Sequence, residues 1–308
     1  MIDVVCLGIL VADVIARPVD ALPPRGELAV VDEISLRGGG CAHSTASALA
    51  RLGVPAAGVG KVGADPLGDH LVHLLDERGV DRQGVLRDAA WPTSTTVVAV
   101  ASDGERTFLH LPGANAHLRA EELDHDLLFC GRALHIGGAL VMPGLDGEPT
   151  AAILAEARRR GILTSLDTAF DASGRWERLL PCLPHLDLAT PSLTEARAVS
   201  GEREPAAVAA WFQARGVTEV ALTMGEAGCF VAGKDFAAQI ASVRFLAVDG
   251  TGSGDAFAAG LLHGKLAGWP LARAARFANA VGALSTTAVG AVEGLLDLEQ
   301  TLALVGLE

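Results

Sequence analysis

The sequence predicts an α/β protein: a mostly parallel central β-sheet between helical layers, with a second, smaller β-sheet built from inserted strands. Three observations predict it. Apolar runs of strand length alternate with helical segments, and two strand-rich insertions, 14–37 and 93–111, interrupt that alternation. The third is residues 245–262, where Phe245-Leu246-Ala247-Val248 reads as a buried strand, Gly250, Gly252 and Gly254 as a tight turn, and Phe257, Leu261 and Leu262 as one face of a helix.

Half of the 308 residues are hydrophobic, enough to bury one large core, so residues 1–308 read as one domain. The net charge of −13 argues against nucleic acid or an anionic membrane as partner, because both need a basic face. A nucleotide held by backbone donors and a metal stays open. Cys6, Cys41, Cys130, Cys182 and Cys229 form no CxxC pair, and their odd number predicts reduced thiols and a cytoplasmic protein. No apolar stretch reaches the length of a membrane span, and Met1-Ile2-Asp3 opens a strand rather than a charged leader.

Residues 4–11 form an apolar run read as a central strand, which ends beside Asp13. Ligands of open α/β sheets bind at strand carboxyl ends, so Asp13 is a candidate acceptor for a polyol's hydroxyls or, equally, a turn carboxylate. Prolines 18, 23 and 24 exclude a helix, and Ile34 and Leu36 then alternate with polar residues as in a strand. Gly38-Gly39-Gly40 precedes a helix read from about Ser44 to Leu52, with Gly53 as its stop. Asp65 reads as a turn and capping residue before Pro66, and Asp103-Gly104 as the turn of a hairpin in the second insertion. Residues 135–141, 162–166, 186–189 and 217–223 read as further strands, with a helix starting at Glu148-Pro149. Ser192 and Glu195 have capping-box spacing.

The chemistry concentrates at Asp249-Gly250-Thr251-Gly252-Ser253-Gly254-Asp255. Amides converging at a helix N-terminus favour an anion, so Gly252, Ser253 and Gly254 would line a phosphate site. Asp255, at the mouth of the same helix, is placed to take a proton from an attacking hydroxyl, although an N-cap role fits the same position. The stretch is neither a Walker A loop nor a complete G-x-G-x-x-G.

This stretch, continuing into Ala256-Phe257 and Gly260, resembles the second signature of the ribokinase-like (PfkB) carbohydrate kinases. Gly39, Gly40, Ala46 and Arg51-Leu52-Gly53 resemble the first, with Ser44 where that family usually has Asn. The resemblance runs over essentially the whole chain. It implies a three-layer ribokinase-like fold with a small β-sheet lid, formed by the insertions, that closes over the sugar and excludes water.

The resemblance further implies transfer of a phosphoryl group from ATP to a hydroxymethyl group of a small sugar or polyol. Asp255 would be the general base, and the amides of Gly252, Ser253, Gly254 and Asp255 the anion hole. Asp13, Gly39, Gly40 and Ser44 would orient the substrate; His43 reads first as a structural or solvated side chain, with compensation for the missing Asn as the alternative. Thr223, Gly225 and Gly228 would face the nucleotide and Asn279 its adenine. Glu195 would help hold Mg²⁺, through water, and the Asp249 region with Gly290-Ala291 a monovalent cation such as K⁺, as in some members. Thr168-Ala169-Phe170-Asp171 replaces Pro-Asn-x-Arg, and without that guanidinium an acidic sugar is disfavoured. A homodimer paired through the lid is a further expectation. The alternatives are a nucleoside kinase of the same fold and a non-catalytic sugar or nucleotide sensor. A dinucleotide-dependent oxidoreductase is disfavoured, because its N-terminal glycine fingerprint is absent.

Overall fold

The computed structural model describes residues 1–170 and 173–307. The strands are β1 Val4–Gly8, β2 Val11–Arg17, β3 Glu33–Gly39, β4 Ala56–Gly63, β5 Asp81–Asp88, β6 Thr95–Val100, β7 Arg106–Leu111, β8 Ala133–Ala139, β9 Leu163–Thr168, β10 Leu188–Ala189, β11 Glu219–Thr223, β12 Cys229–Ala232 and β13 Ala237–Ile240. The helices are α1 Cys41–Arg51, α2 Pro66–Glu77, α3 His125–Leu128, α4 Glu148–Arg159, α5 Leu193–Ser200, α6 Pro205–Gln213, α7 Ser253–Leu266, α8 Leu271–Ser285 and α9 Leu298–Val305.

Nine strands form one sheet in the order β13-β12-β11-β10-β9-β8-β1-β4-β5, parallel from β11 through β5 and antiparallel at the β11–β12–β13 edge. Four strands form a smaller sheet in the order β3-β2-β6-β7. The large sheet is buried on both faces, and β1 shows why its sequence is an unbroken apolar run. Val4 and Cys6 belong to the core shared with α1, α7 and α8, whereas Val5 and Leu7 belong to the core shared with α4 and α6. Alternate side chains feed opposite layers, so every position must be apolar.

Three expectations about elements are corrected. The run 4–11 is not one strand: β1 ends at Gly8, and β2 enters the smaller sheet at Val11. Between them the Leu10 amide and carbonyl both bond to the side chain of Asn115, at 3.2 and 2.9 Å, which takes them out of the sheet ladder. The glycine turn meets α1 at once, so the helix starts at Cys41 rather than near Ser44. Residues 245–248 are not a strand. The large sheet already ends at β13, and Leu246 and Val248 are exposed, with the Val248 and Asp249 amides both bonding to Thr286 O.

Asp65 caps α2 through Gly68 N, and Asp103-Gly104 lies in the turn between β6 and β7. The five cysteines are unpaired, and among the described residues no helix is long and apolar enough to cross a membrane.

Candidate active site

Asp255 lies in the first turn of α7, behind an N-cap glycine, Gly252, whose φ of 73° is the left-handed region. A side chain at 252 would also run into Ala291, so this turn needs glycine on both counts. Ala256 N closes onto Gly252 O at 2.9 Å, whereas the amides of Gly252, Gly254 and Asp255 have no protein acceptor among the described residues. Unpaired donors at the positive end of a 14-residue helix make a preformed pocket for negative charge.

The Asp255 side chain is buried beneath this turn. Burial pushes its pKa up to about 7; the Cys41 thiol and Ser44 hydroxyl oppose the rise, and the charges of Asp13 and Glu195 add to it. Asp167 stands close by: a Cβ on Gly254 would lie 3.9 Å from its Oδ2. Burial, followed by the charges of Glu195 and Asp255, pushes the Asp167 carboxyl well up. β1, β2, β9 and the helix starts of α1, α5 and α7 thus bring Asp13, Asp167, Glu195 and Asp255 toward one centre. Asp167 was not singled out from the sequence; the signal was available, since it ends a buried strand at the sheet's carboxyl edge.

On the small-sheet side, Asp13 is buried in β2, and burial pushes its pKa up to about 6 while the Thr96 hydroxyl holds it back. A Cβ on Gly39 would overlap the Asp13 carboxylate, so glycine is what lets the chain pass there. Gly40 has φ 87° and caps α1 from a backbone region that excludes other residues. Ser44 is buried, and its hydroxyl faces the Asp255 carboxylate rather than a saturated set of protein partners. His43 turns the other way, its ring against Gly38 beside Leu74, which is the structural reading, and burial lowers its pKa to about 3.

A cavity of about 380 Å³ opens on the other side of the α7 turn. Thr223, Gly225, Gly228 and Asn279 all line it, together with Ser253 and Gly254. Its outer wall is Ser242, Val243, Arg244, Phe245 and Ala247, the last two from the run 245–248 read above as a strand. Asn279 is not free to read a base with its amide nitrogen, which donates to Ile240 O and Ala241 O at 3.0 and 3.1 Å and so anchors that wall to α8.

A profile of the pfkB family carbohydrate kinases matches residues 1–298. The chain belongs to that family. It is 34% identical over 283 residues to a fructokinase of Klebsiella pneumoniae, covering 86% of this chain and 91% of that one. It is 31% identical over 290 residues to fructokinase-1 of Zea mays, covering 87% and 88%. Among solved structures, Arabidopsis thaliana ribokinase complexed with ribose and ATP superposes with a TM-score of 0.87 at 24% identity, covering 99% of each chain. An E. coli structure in complex with ATP and Mg²⁺ gives 0.87 at 24% identity over the full length of both chains. The fold is therefore ribokinase-like, and the chain is a sugar kinase, a phosphotransferase acting on an alcohol group.

The kinase's carboxylates fit a magnesium ion carried in with a nucleotide. The charges of Glu195 and Asp255 raise the proton affinity of Asp167, and the Glu195 charge raises that of Asp255, which marks a site short of positive charge. Among the described residues no three side chains form a direct metal cage. That suits an ion held mainly by phosphates and water. Glu195 does make the capping box with Ser192; its Oε2 accepts from Ser192 N, Ser192 Oγ and Thr168 Oγ1 at 3.0, 2.7 and 3.0 Å. Oε1 carries the remaining capacity. Asp171, the last residue of the segment replacing Pro-Asn-x-Arg, lies outside the described residues.

At Asp249 the side-chain oxygens are already engaged by protein donors. Oδ1 accepts from Thr251 N, Thr251 Oγ1 and Arg106 Nη1, and Oδ2 from Gly290 N. Burial works against ionisation there, but these bonds and the Arg106 charge hold the carboxyl below its usual range.

Proposed function

We propose that this kinase transfers the γ-phosphoryl group of ATP to a hydroxymethyl group of a small neutral sugar, a ketohexose first among them. The observation that carries this reading is the buried Asp255 carboxylate beside unpaired amides at the α7 N-terminus, between a nucleotide-sized cavity and the Asp13 side of the small sheet. Asp13, with the Gly39–Gly40 backbone and the Ser44 hydroxyl, orients the sugar. Asp255 accepts the hydroxyl proton as that oxygen attacks phosphorus, and the amides of Gly252, Ser253, Gly254 and Asp255 take up charge on the equatorial phosphoryl oxygens. Mg²⁺ bound with the nucleotide would supply charge neutralisation, with Glu195 and Asp167 as the carboxylates that hold it through water. The small sheet acts as a lid that limits water at the transferring phosphoryl group.

Fructokinase relatives at 31–34% identity support a ketohexose, and the ribose and ATP named with the Arabidopsis ribokinase support the two ligand classes. ADP release with Mg-ATP across ketohexoses, aldoses, inositols, sugar phosphates and nucleosides tests this reading. Fructose or a close ketose is expected to give the highest kcat/KM; turnover confined to nucleosides or to phosphorylated sugars would replace it.

A dimer paired through the lid follows from the outer face of the small sheet. Register places Ile34, Val97, Leu109 and Leu111 on one side, and they are 69, 40, 59 and 48% exposed. Four large apolar side chains on one sheet face make an interaction patch, and a second copy of this chain covers it. Light scattering is expected to give twice the chain mass, falling to the monomer in Val97→Glu/Leu109→Glu; a concentration-independent monomer would refute it.

A further inference from the structure

Arg106 stands at the start of β7 in the small sheet, yet its guanidinium leaves that sheet. Nη1 donates to Asp249 Oδ1 at 3.2 Å and to Thr251 Oγ1 at 2.8 Å, across 143 and 145 residues of sequence. A Cβ on Gly250 would lie 3.4 Å from Nη2, so the guanidinium rests against the backbone that leads into the anion-hole turn. The pair is partly buried, with side-chain exposures of 31% for Arg106 and 10% for Asp249, so water screens it less than a surface pair.

A monovalent metal ion binds where several oxygens turn free lone pairs inward. Here the Asp249 side-chain oxygens and three nearby carbonyls are engaged. Asp249 already accepts four bonds, and Thr286 O accepts from both Val248 N and Asp249 N, at 2.7 and 3.0 Å. Further along the same segment Ala283 O is taken by the amide and hydroxyl of Thr286, and Leu284 O by those of Thr287. The positive charge that this carboxylate needs is already present, on the Arg106 guanidinium.

We propose that Arg106 is the built-in counter-cation of the glycine loop. It takes the place of a monovalent metal ion, and it ties the setting of the anion-hole amides to the position of the small sheet. The inference rests on the anion-hole reading above. Asp249 holds Thr251 on one side and Gly290 on the other, so whatever holds Asp249 sets the turn that ends at Gly252. With Arg106 in that role, the loop is ordered by the small sheet rather than by the salt in solution.

The test compares the full chain with Arg106→Met and Arg106→Lys in choline chloride and in potassium chloride at one ionic strength. It reads the thermal midpoint and, by calorimetry, the affinity for the magnesium complex of a non-hydrolysable ATP analogue. The unmodified chain is expected to give the same midpoint and affinity in both salts. Arg106→Met should lose about tenfold or more in affinity in choline, the scale of a lost hydrogen bond to a charged group, and recover part of it in potassium. Arg106→Lys, which keeps the charge, should stay indifferent to the salt. A midpoint or affinity of the unmodified chain that rises with potassium would overturn the proposal. So would an Arg106→Met chain that matches the unmodified one, or a loss that potassium does not restore. A chain that binds no nucleotide in either salt overturns the kinase reading instead, and its midpoints still report whether potassium binds.

Discussion

Asp255→Asn is expected to lower kcat by roughly 10²- to 10⁴-fold, the range for removing a general base, without weakening the affinity for Mg-ATP. The amide is nearly isosteric, so the α7 turn and its unpaired donors stay in place while the proton acceptor is lost. Steady-state kinetics with calorimetric nucleotide binding checks this; a loss below tenfold would mean that Asp255 is a capping and packing group. The same carboxylate sets the pH profile. Its pKa is pushed up to about 7, so it is protonated, and unable to accept a proton, on the acid side of that value. The rate should climb through neutrality and level off above it, and this acid limb should disappear from the residual activity of Asp255→Asn. A flat profile over about three pH units around neutrality would contradict the assignment.

Asp13→Ala should lower kcat/KM for the sugar by about 10- to 150-fold, corresponding to the loss of hydrogen bonds from substrate hydroxyls to a charged acceptor, and leave the KM for ATP unchanged. The carboxylate is buried in the small sheet with its oxygens toward Gly39, whereas the nucleotide cavity is lined from the other side of the α7 turn. A second signature separates a direct role from a general loosening of the sheet. The Asp13 charge contributes to the raised pKa of Asp255, so the acid limb of the pH profile should move to lower pH in Asp13→Ala. Equal losses for sugar and ATP with an unmoved limb would assign Asp13 to packing.

Much of this site was legible along the chain. The glycine turn before α7, its aspartate and the residues lining the cavity beside it lie in short continuous stretches, and local rules read such stretches well. The 192–195 capping box was likewise visible from spacing, because a box needs only one turn of helix. Asp167 went unread since its meaning depends on Glu195 and Asp255, 28 and 88 residues away, standing beside it. Residues 245–248 misled because an apolar run says that side chains will find apolar company, not that a neighbouring strand exists to pair with.

The sequence by itself determined the α/β class, the mostly parallel sheet and the glycine turn into α7, because periodicity and glycine spacing are properties of consecutive residues, and its two signatures carried the resemblance to the family. Only the tertiary structure decided where β1 gives way to β2, which way His43 points, and that Arg106 meets Asp249. Each of those depends on a partner more than 27 residues distant, Asn115 for Leu10, Leu74 for His43 and the glycine loop for Arg106, and no local rule brings such pairs together. Burial then does what sequence cannot express: it raises the proton affinity of one aspartate among many to about 7, where a general base is useful.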